Sequence, residues 1–155
     1  MCIRDSIYRR MSPRIVLLGR NVDGVLVDAA HNRLPVLHEK IAALRFDATL
    51  FFANASFFED AILKIERENP KLKCILVVAS GINQIDASAV EMLRRVVRRL
   101  RECGITLVFS STKRQVLDVV KRTGLAAELG EANIFASDDL ALTALSYRLD
   151  RNTPQ

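Results

Sequence analysis

Residues 74–79 read Cys-Ile-Leu-Val-Val-Ala without a polar interruption. A continuous apolar run of this kind suits a central strand covered on both faces better than a half-exposed edge. Ser80-Gly81-Ile82-Asn83 then breaks the run and makes a short polar loop. Beyond it, Ser88 and Glu91 have the S-x-x-E spacing of a capping box, which predicts a helix opening at Ser88 with its hydroxyl among the free N–H groups of the first turn. Val90, Leu93, Val97 and Leu100 give that helix an apolar stripe, Arg94, Arg95, Arg98, Arg99 and Arg101 give it a basic face, and Cys103-Gly104 closes it. A buried strand thus delivers a polar loop and a helix start, and the loop is the expected working surface.

The flanking sequence repeats the alternation. Arg14–Leu18 predicts a strand ended by Gly19, Val25–Val27 a brief extended piece inside a mostly irregular 21–40 segment, and Ile41–Ala48 another strand. After a turn at Ala53-Asn54-Ala55, Ser56 and Glu59 have capping-box spacing and Asn69-Pro70 stops the helix that follows. Phe51, Phe52, Phe57 and Phe58 are expected in the core rather than in an aromatic binding box. Ile105–Ser110 and Ile134–Ala136 predict strands. Lys113–Thr123 predicts a helix with Val116, Leu117 and Val120 inward, ended by Gly124 as C-cap with Leu125 folding back. Ser137 is the expected cap of a last helix, with Asp138 and Asp139 in its first turn and Leu140, Ala144 and Leu145 packing. The expected fold class is an α/β sandwich of a mixed, largely parallel sheet with crossover helices, its first strand pairing at an edge.

A chain of 155 residues fits one domain and buries enough surface to fold without disulfides or metal. Half the residues are hydrophobic, but no apolar run approaches the roughly 20 residues of a membrane-spanning helix. The net charge of +5 comes from 23 Lys and Arg against 18 Asp and Glu, concentrated in residues 1–20 and 94–101. Nucleic acid is not the expected partner, because zinc-finger spacing, a helix-turn-helix glycine signal and interleaved aromatics are all missing. Cys2, Cys74 and Cys103 have no pairing motif, which argues for a reducing compartment. His31 and His38 have no thiols near them, and neither a metal site nor a cofactor is expected.

Catalysis is not expected either. The chain lacks GxGxxG, a Walker lysine loop, GxSxG and HExxH, and Asp86 and Ser88 alone do not supply a nucleophile with its base. The candidate site is instead a partner-binding or regulatory loop of Ser80, Gly81, Asn83, Asp86 and Ser88. Ser88 has two readings, a plain N-cap or a phosphoacceptor at a helix N-terminus that favours added negative charge. Asp86 is read as fixing the loop, and Ser80–Asn83 as a tight connection or a weak phosphate cradle.

The order of strand, Ser-Gly-Ile-Asn, Ile-Asp-Ala-Ser-Ala and amphipathic helix resembles the STAS domain family. Leu44–Ala55, Leu-Arg-Phe-Asp-Ala-Thr-Leu-Phe-Phe-Ala-Asn-Ala, is most similar to its branch at the cytoplasmic C-terminus of SulP anion transporters. The resemblance covers residues 14–149, leaving 1–13 as a basic lead-in and 150–155 as a tail. It implies a non-catalytic domain at the cytoplasmic face of a membrane, supporting regulation, assembly or trafficking of sulfate or anion transport, with hydrophobic segments encoded upstream. The implied partners are the transporter's membrane domain, a regulatory protein or anionic lipid at the arginine face, and a second copy through the full-length transporter. The alternative is a free-standing anti-sigma-factor antagonist, whose phosphorylated serine corresponds to Ser88. Val78 and Ala89 depart from the family, which commonly has an acidic residue and, in phosphorylated antagonists, glycine at those positions.

Overall fold

A computed structural model describes residues 13–35 and 37–151. Cys2 and the segments 1–12 and 152–155 lie outside the described residues. The elements run β1 Arg14–Arg20, β2 Leu26–Asp28, β3 Ile41–Asp47, α1 Ala55–Glu68, β4 Cys74–Val78, α2 Ala87–Glu102, β5 Thr106–Ser110, α3 Arg114–Arg122, α4 Leu125–Leu129, β6 Ile134–Phe135 and α5 Asp138–Arg151. One sheet has the order β2-β1-β3-β4-β5-β6. β1 is antiparallel to β2 and β3, and the β3-β4-β5-β6 pairings are parallel.

The apolar run at Cys74 is the centre of this sheet. All five residues of β4 are buried, and their alternation divides the core in two. Ile75 and Val77 join Leu44, Phe46, Leu107 and Phe109 under α1 through α4, where Phe58 packs edge-on against Phe46 with centroids 5.4 Å apart. Leu76 and Val78 join Val16, Ala43 and Val108 under Ala141, Leu142 and Leu145 of α5. Successive right-handed crossovers that advance across a sheet in one direction put their helices on the same face. α5, which follows the last strand, covers the other.

Several local expectations are corrected. β1 runs through Gly19 to Arg20 and is not the edge, because β2 pairs outside it. α4 has no counterpart in the expected elements. Gly124 does end α3 in the left-handed conformation expected of a C-terminal glycine, with φ +78° and Leu125 fully buried after it, but the chain turns there directly into α4. On α5, Leu140 is 57% exposed, and Ala141 and Leu142 take the inward positions beside Leu145. Phe58 is core, but Phe52 is 73% and Phe57 38% exposed. The phenylalanine cluster therefore splits between core and surface, since adjacent residues on a turn or helix cannot share one face.

Candidate functional site: the loops at the carboxyl ends of the central strands

The parallel strands β3, β4 and β5 deliver three loops to one end of the sheet, and backbone pairing joins the first two. Leu50 N–H donates to Gln84 O at 2.9 Å and Asp86 N–H to Leu50 O at 3.2 Å. Asn54, only 2% exposed, fixes the first loop from within: its Oδ1 accepts from Phe51 N–H at 3.0 Å and its Nδ2 donates to Thr49 O at 2.7 Å. The third loop is held through Asn83, whose Oδ1 accepts from Lys113 Nζ and whose carbonyl accepts from Gln115 Nε2 at 3.3 Å. In the sequence Asn54 reads only as a turn residue. Its polarity beside an apolar stretch was the available signal for a buried hub.

Asp86 is the pivot. Its Oδ1 accepts from Ala89 N–H at 2.8 Å as the N-cap of α2, and its Oδ2 accepts from Phe52 N–H at 3.0 Å. One carboxylate thus satisfies an orphan amide of the helix start and ties the neighbouring loop to it. This corrects the capping-box expectation. Ser88 lies inside the first turn, exposed and outside the capping position, while Glu91 pairs with Arg94 Nε at 3.1 Å. Ser56 is likewise not a cap, because α1 opens after Asn54 and Glu59 reaches Arg95 at 3.5 Å. In both cases a residue two positions upstream is the one flanking the helix, a shift that S-x-x-E spacing alone does not resolve.

Ser80 and Gly81 form a single 3-10 turn, with Ser80 exposed. Gly81 is required by close approach. A Cβ there would stand 2.2 Å from Asp47 Oδ1 and 2.6 Å from Phe46 O. That contact explains the glycine as packing of the loop onto the end of β3, not as a phosphate cradle. Between the starts of α1 and α2 a shallow groove is lined by Phe52, Ser56, Glu59, Ser88, Met92 and Arg95. Ser88 and the exposed Phe52 therefore face one surface.

The five arginines of α2 do not form one face. Arg94, Arg98 and Arg101 run along one border, where Arg94 bonds Glu128 and Thr123 O, Arg98 lies 3.5 Å from Glu128, and Arg101 reaches Glu128 O at 2.5 Å. Arg95 and Arg99 run along the other, paired with Glu59 at 3.5 Å and Glu66 at 3.3 Å. The borders flank the apolar stripe, and the chain's own carboxylates on α1 and α4 answer Arg94, Arg95, Arg98 and Arg99, with Arg101 on a backbone carbonyl.

The three crossovers on one face leave no switch point along β3 to β6 of the kind at which open α/β sheets hold ligands. Among the described residues, no group of three or more His, Cys, Asp or Glu side chains is placed to hold a metal ion, and no helix is long and apolar enough to cross a membrane. Burial pushes the Cys74 thiol above its ordinary range, partly offset by Arg148.

Comparison with known proteins adds a family to this geometry. The STAS domain profile matches residues 35–141. Probable sulfate transporter 4.2 of Arabidopsis thaliana is 28% identical over 159 residues, covering 95% of this chain and 23% of the transporter. The chain therefore spans under a quarter of that relative's length. Among solved structures, the murine anion transporter Slc26a9 in its inward-facing state matches with a TM-score of 0.81 at 15% identity, over 94% of this chain and 24% of that one. The unphosphorylated anti-sigma factor antagonist SpoIIAA matches with a TM-score of 0.59 at 14% identity, over 72% of this chain and 93% of that one.

Proposed function

Because this chain belongs to the STAS domain family, we propose that it serves as the non-catalytic C-terminal domain of a SulP-type sulfate or anion transporter, spanning residues 14–149 and lying at the cytoplasmic face of the membrane. The observation that carries this reading is the likeness to a sulfate transporter over 95% of the chain, which includes β1 and α5 as well as the central units. In this role the domain supports regulation, assembly or trafficking of transport, and the membrane domain of the same polypeptide is its first partner. The loop surface at Ser80–Ser88 is the regulatory element. Asp86 holds the helix start, and Ser88 stands exposed beside Phe52, so a modification there alters the surface without removing a cap.

A second reading, the free-standing anti-sigma-factor antagonist, is favoured by the same exposed Ser88 in the first turn of α2. Genomic sequence upstream of Met1 separates the two. Several hydrophobic segments of roughly 20 residues each are expected in frame for a transporter, and an in-frame stop with no adjacent membrane protein points to the antagonist. If the transporter is found, sulfate uptake by the full-length protein carrying Ser88→Asp tests the regulatory claim. A changed uptake rate at unchanged membrane abundance supports it, and wild-type uptake overturns it.

A further inference from the structure

The end of the sheet opposite the loops holds a cavity of about 380 Å³ at the amino ends of β3, β4 and β5, lined by Lys40, Lys73, Cys74, Gly104, Thr106 and Arg148 among others. We propose that this cavity binds a tetrahedral oxyanion, sulfate or phosphate, either free or as a phosphomonoester headgroup. Among the described residues three cations line it and no carboxylate does. Lys40 and Lys73 are brought together by the strands: Lys73 N–H donates to Lys40 O at 2.9 Å, and Cys74 N–H to the same oxygen at 3.0 Å. Among the described residues no salt bridge or hydrogen bond engages either lysine ammonium. Glu39, next to Lys40 in sequence, feels the charge of Lys40 but makes its bond to Lys71 Nζ, at 2.8 Å.

Arg148 supplies a fixed wall. Its Nη1 donates to Asn133 Oδ1 at 2.8 Å and its Nη2 to Ala132 O at 2.6 Å, while its guanidinium carbon lies 5.6 Å from the centroid of the Phe135 ring. These partners are neutral, so the guanidinium is oriented without its charge being cancelled. Gly104 leaves open space: among the described residues, none beyond its chain neighbours comes within 4 Å of where its Cβ would stand. Two ammonium groups and one oriented guanidinium around a concavity larger than a monatomic ion suit a dianion with several acceptor oxygens. The same chemistry holds whether or not the chain is part of a transporter.

The test is an amide NMR titration of the 155-residue chain with sodium sulfate and sodium phosphate, ionic strength held constant with sodium chloride. Saturable shifts are expected at residues 40, 73, 74 and 104–106. Lys40→Gln/Lys73→Gln is expected to weaken binding about tenfold, as loss of charge-assisted contacts would, with an unchanged unfolding midpoint. Lys73→Gln alone gives a smaller loss in the same direction, and Arg95→Gln on α2 none. Shifts that grow linearly with salt, map to α2, or keep the wild-type affinity in the double variant overturn the assignment. Co-sedimentation with phosphatidylcholine vesicles, with and without phosphatidic acid, separates the sources. Binding that requires phosphatidic acid and is competed by inorganic phosphate identifies a headgroup, saturable shifts without vesicle binding identify the free ion, and absence of both overturns the proposal.

Discussion

At the carboxyl ends of β3, β4 and β5, Asp86 and Asn83 are each bonded to a neighbouring loop and Asn54 is bonded within its own. At the amino ends of the same strands, Lys40 and Lys73 line a cavity with Arg148, and among the described residues no carboxylate lines it. One end uses polar groups to fix its own backbone and leaves Ser88 and Phe52 outward. The other leaves charge to be answered from outside. The arginines of α2 belong with the first kind, although they are the densest charge in the sequence, because acids on α1 and α4 meet Arg94, Arg95, Arg98 and Arg99, and Arg101 bonds the Glu128 carbonyl. Charge density in a sequence therefore does not identify free charge; the fold decides which cations are already paired.

The largest expected effect is at Gly81. Gly81→Ala puts a methyl against the Phe46 carbonyl and Asp47, and backbone cannot yield as a flexible side chain does. A destabilisation of about 3 kcal/mol in urea unfolding is expected, and a loss below about 1 kcal/mol would break the claim that the loop end is rigidly packed.

A smaller effect separates the two borders of α2. Arg94, with its side chain 18% exposed and bonded to Glu128 and Thr123 O, should cost about 2 kcal/mol as Arg94→Met, since it leaves Glu128 and a carbonyl short of a partner. Arg95, 61% exposed, should cost under about 0.5 kcal/mol as Arg95→Met. Equal losses would mean that the borders are alike.

The smallest effect concerns the paired lysine at the amino end. The hydrogen bond and charge of Lys71 hold the Glu39 carboxyl below its ordinary 4.5, and Glu39 raises Lys71 above 10.5. A lowered carboxylate contributes stability that is present above its ordinary value and lost as pH falls through the folded one. A raised ammonium contributes stability present below its ordinary value and lost as pH rises through the folded one. In a carbon-detected NMR titration, Lys71→Met should move the Glu39 midpoint back towards 4.5. An unmoved midpoint would remove the distinction between Lys71 and its neighbours Lys40 and Lys73.

Much of the fold was legible. The uniform apolarity of residues 74–78 specified a doubly covered strand, and the spacing of Val90, Leu93, Val97 and Leu100 gave α2 its buried face. β2, three residues long, was legible only as the brief extended piece at Val25–Val27, and α4, five residues long, was not distinguished at all, because so few residues carry no periodicity to read. At the site, the loop and Asp86 were legible as a group, but the capping role was given to Ser88. Ser and Asp are comparable caps, and only the backbone turning at Asp86, with ψ 175°, chooses between them. Arginine pairing was not legible, since Glu59, Glu66 and Glu128 reach α2 only through the tertiary packing of α1 and α4.

The central claim is that Asp86 holds the start of α2 and frees Ser88 to vary. Urea unfolding of Asp86→Ala, Ser88→Ala and Ser88→Asp, measured side by side, tests it most directly. The expected result is a loss of about 1–2 kcal/mol for Asp86→Ala. Both Ser88 variants should stay within about 0.5 kcal/mol of wild type, Ser88→Asp on the favourable side because its charge sits in the first turn of the helix. A Ser88→Ala loss as large as that of Asp86→Ala would contradict the account and return Ser88 to the role of cap.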